Sequence, residues 1–348
     1  MGEVAVFTAP HELGFAQEED RPLAANEVRV ATLYSGISAG TELTAFRGSN
    51  PYLRKQWDTT QRLFVPSEAT TLSYPVVGWG YEECGKVVEL GSDVTNVDVG
   101  DVIYGTWGHR THTIVEADYA AARVQPTGLD PILGVFSQIG AIALNGAHDA
   151  AIRIGETVAI FGLGTPGQIM AQLAKKSGAT VIGVDLFPMR RQLALDLGSV
   201  DVALDPRAGE IAEQIKAMTN LRGADVCIEV SGSYLALHEA IRTAAYSAKV
   251  VTLGFFQHDG QGLFLGEEFH HNRVNVVCSQ IYGVSPELTY RWNQARLVAT
   301  VMQLQAGGVL DLRPIITQVI PFRDAAEAFR LVDKQPEQTV QVVLDYTS

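Results

Sequence analysis

The stretch from Glu156 to Asp185, ETVAIFGLGTPGQIMAQLAKKSGATVIGVD, leaves this chain the fewest choices. A short apolar run, Val158 to Phe161, meets Gly162-Leu163-Gly164-Thr165-Pro166-Gly167. A helical pattern follows to Ser177, and a second apolar run, Val181 to Val184, ends on Asp185. This order predicts a strand, a glycine turn, a helix and a second strand. In a GxGxxG turn the first glycine permits the tight turn and the second lets backbone N–H groups approach a pyrophosphate. The third lets helix and strand pack closely, with the helix N-terminus facing the anion. Gly162, Gly164 and Gly167 occupy those places, with Thr165 and Pro166 between the second and third. Glycine-rich turns are common by themselves. The strand before, the helix after and an acid about 20 residues beyond the turn together point to a dinucleotide.

Asp185 also bears on which dinucleotide. A carboxylate at the end of the second strand accepts both ribose hydroxyls of NAD and meets the 2′-phosphate of NADP with like charge. These residues favour NAD over NADP. Arg190 and Arg191 follow closely and keep NADP open, because an arginine there accommodates a phosphate; their other reading is a solvated helix face with some adenine contact.

The 348 residues, 47% hydrophobic and 19% charged, suffice for two domains with ample cores. A formal net charge of −13 argues against nucleic acid or an anionic membrane as partner, since both need a basic footprint. MGEVAVFTAP at the N-terminus has no basic region followed by an apolar one, and no apolar run approaches the roughly 20 residues that span a bilayer. A cytoplasmic protein is expected. Cys84, Cys227 and Cys278 are odd in number and far apart, which suits neither a disulfide framework nor a cysteine-built zinc site.

Residues 1 to about 125 read as β-rich: Val4 to Phe7, Glu27 to Leu33, Gly85 to Leu90 and Asp101 to Tyr104 have strand character, with Gly, Asn, Pro or Asp between them. Beyond Asp130 the pattern alternates. Helix is expected at Phe136 to Ala147, Ile211 to Met218 and Leu235 to Ala245, and strand at Val202 to Leu204, Ala224 to Val230, Val250 to Phe255 and Val274 to Ser279. Alternation of this kind implies a parallel, doubly wound sheet, an α/β fold. The chain closes with a helix at Tyr290 to Ala306, a strand at Ile315 to Val319, a helix at Arg323 to Val332 and a strand at Gln341 to Asp345.

A β-rich first domain, a central GxGxxG domain and the ending ITQVIPFRDAAEAFRLVDKQPEQTVQVVLDY together resemble the medium-chain alcohol dehydrogenase/reductase family over essentially the whole chain. The Gly100-Asp101 turn and YEECGKVVELG at 81 to 91 add to the likeness. The resemblance implies a GroES-like β-rich catalytic domain from residues 1–125 and 287–348 and a Rossmann dinucleotide-binding domain from 126–286. It further implies a terminal segment folded back onto the first domain, an alcohol or ketone substrate in the cleft between domains, and a homodimer or homotetramer joined through edge strands around Val274 to Ile281.

Zinc-dependent members of the family place a cysteine near the start, a Gly-His-Glu trio in the middle and a Cys, Asp or Glu on the helix before the fingerprint. Here the first region reads SGISAGTE, so the sulfur position falls on Ser38 or Ala39; the trio reads Gly80-Tyr81-Glu82; and the helix position falls near Gln138. Only Glu82 is a strong zinc donor, and one carboxylate does not hold the ion. The family's four-cysteine lobe is missing as well. No catalytic or structural zinc is expected, and the pairs His109/His112 and His270/His271 read as surface or packing residues. SGISAGTE with GYE resembles a zinc-lacking branch that includes bacteriochlorophyllide dehydrogenase and sugar-linked dehydrogenase-like proteins.

Hydride transfer needs a group that takes the hydroxyl proton or stabilises the alkoxide. Ser38, Thr41, Tyr81 and Glu82, with Gln138 on the nicotinamide side, are the candidates for that work. Tyr81 as a base needs a nearby positive charge to bring its pKa down from about 10; the alternative is that Tyr81 fills the space of metal and histidine, and that Glu82 only accepts a structural hydrogen bond. The long segment from Ser49 to Tyr74 reads as a lid carrying Tyr52, Arg54, Lys55, Trp57 and Arg62, or as a short helix packing Leu53 and Trp57. Tyr52, Trp57 and His109 are the candidate substrate contacts. Ser231-Gly232 and Leu253-Gly254-Phe255 follow later strands and are expected against the cofactor, with Phe255 and Phe256 alternatively in the core. Three functions fit: a zinc-independent NAD-linked dehydrogenase of a polyol, sugar derivative or bulky cyclic secondary alcohol; a zinc-free NADPH-dependent enone or quinone reductase; and a non-catalytic dinucleotide-binding protein.

Overall fold

The computed structural model describes residues 2–66, 70–257 and 259–348. Its contacts divide the chain into two compact units, Met1–Gln138 with Ile316–Ser348, and Ile139–Ile315.

In the first unit, β1 (Gly2–Ala9) turns back into β2 (Glu12–Glu18). The long strand β3 (Glu27–Ile37) leads to helix α1 (Glu42–Arg47), a 3-10 turn at Pro51–Leu53 and a hairpin of β4 (Lys55–Asp58) and β5 (Leu63–Pro66). Then come β6 (Val76–Val77), β7 (Glu83–Leu90), β8 (Val102–Gly105), β9 (His112–Glu116) and α2 (Ala117–Ala121). Val28 and Val30 of β3 are fully buried, and β7 and β9 both pair antiparallel with this strand, which makes it the spine of the unit.

The second unit opens within α3 (Phe136–Ala150). Its sheet takes β10 (Thr157–Phe161), β11 (Thr180–Val184), β12 (Val202–Leu204), β13 (Ala224–Glu229), β14 (Ala244–Thr252) and β15 (Asn275–Cys278) in the order β12-β11-β10-β13-β14-β15, all parallel. Helices α4 (Thr165–Lys176), α5 (Pro188–Asp196), α6 (Ile211–Met218) and α7 (Tyr234–Thr243) connect the strands. Alternate residues of one strand feed two cores: Ala159 and Phe161 join Ile182, Val184 and Cys227, while Val158 and Ile160 join Val181, Ile228 and Met170. A sheet buried on both faces has this two-sided apolar pattern. The expected doubly wound parallel sheet is therefore present.

After α8 (Gln294–Ala306), the strand β16 (Ile316–Pro321), helix α9 (Ala325–Lys334) and strand β17 (Gln341–Asp345) return to the first unit. There β17 lies antiparallel on β3, with Leu344 opposite Ser35 and Val342 opposite Ile37, so the terminal segment does fold back onto the first domain.

The unit boundaries fall at 138 and 316, where the sequence placed them at 125 and 287. Packing moves both. A 3-10 turn at Pro131–Val135 packs on β3, β7 and β8 of the first unit. In the second, α8 buries Leu297, Val301 and Met302, and Val301 lies where a side chain on Gly140 of α3 would be. The helix expected from Tyr290 starts at Gln294, because the Asn293 side chain accepts from the Arg296 N–H (2.9 Å) and fixes the N-terminus. The expected lid or helix at 49–74 is a short turn and a hairpin; its residues 67–69 lie outside the described set. Among the described residues no helix is long and apolar enough to cross a membrane.

Candidate active site

Parallel pairing in register sets the carboxyl ends of the central strands side by side, where open parallel sheets bind ligands. Phe161 pairs with Val184 on one side and Glu229 on the other, and Val184 pairs with Leu204. Gly162, Val230 and the two aspartates Asp185 and Asp205 therefore follow as neighbours. Gly162 has φ of 103°, a backbone conformation that side chains disfavour, and a Cβ there would press on Ser231. On Gly167 a Cβ would overlap the carbonyl oxygen of Gly162, so the crossing of helix and strand demands the third glycine.

Gly164 is different. Among the described residues only the Arg190 guanidinium lies within 4 Å of its Cβ position, at 3.6 Å. The protein's own packing leaves the second glycine open, and this glycine is itself the N-cap of α4, so the N-cap residue offers no side chain to the helix that begins at Thr165-Pro166. A helix start whose N-cap is an open glycine is the cradle that a phosphate fills, and a dinucleotide fits it.

Asp185 is 8% exposed and anchored through both oxygens, Oδ2 accepting from the Leu163 N–H and Oδ1 from the Phe187 N–H, each at 2.7 Å. A carboxylate keeps further lone pairs for ribose hydroxyls. Arg190 Nη1 stands 4.0 Å from Asp185 Oδ2, with its guanidinium 4.9 Å from the centre of the Phe187 ring. At the end of β13 the fully buried Glu229 gathers the next loop: Oε1 accepts from the N–H groups of Ser231 (2.8 Å) and Gly232 (3.1 Å) and from the Ser231 hydroxyl. Burial pushes its carboxyl up to about 7 against those donors. Gly254 lies against the Gly232 backbone, and the Phe255 ring is 43% exposed, outside the core that Phe256 joins. The sequence reading passed over Glu229. Its signal was an acid at the end of an apolar run, before Val230-Ser231-Gly232.

The β-rich unit holds the other half of the predicted residues. Pairing of Ser35 with Glu83 brings the end of β3 beside the start of β7. Tyr81 Oη lies 2.5 Å from Ser38 Oγ and 3.4 Å from Thr41 Oγ1. Glu82 Oε2 accepts from the Gln341 side chain at 3.0 Å, and its other oxygen is buried without a partner among the described residues. Burial raises the Tyr81 phenol. The Glu82 carboxyl is raised well above its usual range by burial and then by Glu42 and Glu83. Gln138 sits partly exposed in the first turn of α3, with no described bond to this group.

Behind Ser38 runs a buried chain that sequence reasoning missed. The Ser38 N–H donates to Glu42 Oε1 (3.1 Å), Glu42 Oε2 meets His109 Nε2 (2.7 Å), and His109 Nδ1 meets Ser35 Oγ (2.7 Å), which in turn meets Tyr346 Oη (2.9 Å). His109 was expected to contact substrate. Instead it is 1% exposed with both ring nitrogens engaged, so it serves the interior of its unit. Burial disfavours the imidazolium, but Glu42 and Glu83 prevail and raise its pKa. Beside it Glu83 Oε2 accepts from the Trp107 N–H at 2.7 Å, and burial pushes that carboxyl up to about 7. Tyr52 and Trp57, the other expected contacts, pack with Phe64 of the hairpin, their ring centres 5.5 and 4.9 Å from it.

These positions do not suit a catalytic zinc. Ser38 and Tyr81 hydrogen-bond to each other, a raised phenol is a poor metal donor, and Glu82 is the only strong zinc ligand among the three positions. Of the free cysteines, the buried Cys84 is the only one in this unit, too few for a four-cysteine lobe. Among the described residues, the group that brings three metal donors within 4.8 Å of one another is His238, Glu267 and Glu268 in the other unit, where Glu268 already pairs with Arg242.

A family model described as zinc-binding dehydrogenase matches residues 167–298. D-guloside 3-dehydrogenase of Escherichia coli strain K12 is 32% identical over 345 residues, covering 97% of this chain and 98% of that one. (R,R)-butanediol dehydrogenase of Bacillus subtilis strain 168 is 26% identical over 289 residues, 75% of this chain and 78% of its own. The crystal structure of 2R,3R-butanediol dehydrogenase from Bacillus subtilis has the same fold, with a TM-score of 0.78 at 21% identity over 99% of both chains. The fold and these relatives together make this an oxidoreductase of the alcohol dehydrogenase type. The chain belongs to the zinc-binding dehydrogenase family, in the medium-chain alcohol dehydrogenase/reductase group.

Proposed function

We propose that the protein interconverts a secondary alcohol and its ketone with NAD, and that it works without a catalytic zinc. The carrying observation is the Ser38–Tyr81 hydrogen bond at 2.5 Å, at the positions where zinc-dependent members of the family place metal ligands. Gly164 and the start of α4 receive the pyrophosphate, and Asp185 accepts the ribose hydroxyls. When bound, the oxidised nicotinamide supplies the hydride acceptor and a positive charge. Tyr81 is a neutral phenol in this site, so it donates its proton to the alkoxide oxygen when a ketone is reduced, while Ser38 and Thr41 hold the phenolate left behind. Alcohol oxidation runs the transfer in reverse, the hydroxyl proton returning to the Tyr81 phenolate that Ser38 and Thr41 hold. Glu82, held toward its neutral form, adds no negative charge beside the forming alkoxide.

The likeness to D-guloside 3-dehydrogenase spans nearly all of both chains and supports a ring hydroxyl of a sugar derivative as the substrate class to screen first, ahead of linear polyols and bulky cyclic alcohols. Pairing of copies through β15, the edge strand where Val276 is exposed, joins this reading as the route to a dimer or tetramer. The test is a titration of chelator-treated protein with NADH and NADPH, then absorbance at 340 nm with sugars and glycosides. NADH binding at least tenfold tighter, about 1.4 kcal/mol, with turnover that survives chelation, is the expected result. Turnover lost on chelation and restored by zinc overturns the metal-free part; tighter NADPH binding moves the screen to enones and quinones.

A further inference from the structure

Across the strand gap from Asp185 stands a second acid. Val184 pairs with Leu204 in the parallel register of β11 and β12, and the Asp185 N–H donates to the Leu204 carbonyl at 3.3 Å. Asp205 therefore leaves β12 about one strand spacing, roughly 4.8 Å, from where Asp185 leaves β11. It holds two guanidiniums. Arg191 Nη2 lies 3.0 Å from Asp205 Oδ2; Arg207 Nη2 lies 3.0 Å from the same oxygen, with Arg207 Nε 3.1 Å from Oδ1. Each arginine also donates to the backbone of the loop that carries the ribose-reading carboxylate, Arg191 to the Asp185 carbonyl (2.6 Å) and Arg207 to that of Leu186 (2.5 Å). The two cations beside the ribose position are thus committed to a carboxylate and to main chain.

We infer that Asp205 is a specificity-determining residue for the dinucleotide: by holding Arg191 and Arg207 on the 185–187 loop it withholds them from a 2′-phosphate. The inference rests on the NAD reading above. Arginine is the usual partner of a ribose phosphate because its fork matches the anion, and three arginines, at 190, 191 and 207, stand around Asp185. With Asp185 alone, that surround would carry net positive charge and accept either cofactor. Asp205 removes one charge and occupies two of the forks. Loss of its charge strengthens binding of the pyrophosphate common to both cofactors, whereas the released forks favour only the phosphorylated one.

The test uses the full-length protein and its D205N variant, titrated with NADH and NADPH at fixed ionic strength. Asn keeps the size and one acceptor oxygen, so far-UV circular dichroism and melting serve as the folding check. The expected result is NADPH affinity raised tenfold or more, NADH affinity changed less than threefold, and the NADPH gain abolished in D205N/R207A. A NADPH-to-NADH ratio unchanged in D205N overturns the inference while wild-type preference for NADH keeps the NAD reading intact. Wild-type preference for NADPH sinks that reading and the inference with it. Should D205N not fold, R207A alone decides: Arg207 held away from the phosphate leaves NADPH affinity within twofold of wild type, and a larger fall shows that it already binds phosphate.

Discussion

In the parallel-sheet unit the acids at the strand ends, Asp185, Asp205 and Glu229, have their oxygens tied to main-chain N–H groups or to arginines. In the β-rich unit Glu82 and Glu83 each keep one buried oxygen without a partner among the described residues, and Glu42 is held by the Ser38 N–H and His109. The difference follows from what each site has to meet. A dinucleotide brings hydroxyls and phosphates that fixed dipoles and a held carboxylate recognise, so the first site is built from backbone and finished before the ligand arrives. A reacting hydroxyl needs a proton partner of shifted pKa, and burial supplies that shift, as it also does for Glu229 in the other unit.

Three experiments bear on this contrast, in falling order of effect. Gly167→Ala drives a methyl group into the Gly162 carbonyl, where neither backbone can yield, and should cost about 3 kcal/mol and abolish NADH binding. Thermal melting with and without NADH reads both effects; an unshifted melt means that α4 can slide. On the other unit, Tyr81→Phe keeps the ring and removes the proton, so turnover should fall on the order of a hundredfold or more with NADH affinity unchanged. Equal turnover would leave Tyr81 as filler for the space of metal and histidine.

The smallest effect concerns pH. Glu83 has its folded pKa raised from the ordinary 4.5 to about 7. A raised carboxyl binds its proton more tightly in the folded state, so its contribution is present below about pH 4.5 and is lost as pH climbs through 7. His109, also raised, moves in the same direction near its own titration. Glu27 works oppositely: the Arg21 hydrogen bond leads a fall of its pKa to about 2, so its contribution is lost only as pH drops from 4.5 toward 2. Glu229, pushed up to about 7 as well, acts in the same sense, and stability should decline by roughly 2 kcal/mol per such carboxyl between pH 5 and pH 8. Glu83→Gln, which keeps an acceptor for the Trp107 N–H, should flatten that slope in urea melts; an equal slope in both proteins would place the titration elsewhere.

Much of the parallel-sheet unit was legible beforehand because its signals are local. The Val202–Leu204 strand and the Ile211–Met218 helix end where apolar runs and spacing said they would. The 3-10 turn before α3 and the start of α8 were not, since packing on β3 and the Asn293 cap decide them. Of the candidate site, Ser38, Thr41 and Tyr81 were named from one motif and one trio and do meet. Gln341 on Glu82, the His109–Glu42 pair and Asp205 on its two arginines were not seen, because no periodicity marks them.

By itself the sequence determined the six strands of the parallel sheet, the glycine turn and the acid that follows β11. These depend on the period of apolar residues and on which backbone a glycine permits, both properties of a few adjacent residues. Only the tertiary structure decided which carboxylates lose water and which cations they hold. Gln341 meets Glu82 across 259 residues and His109 meets Glu42 across 67, and a charge acquires its chemistry from what surrounds it in space.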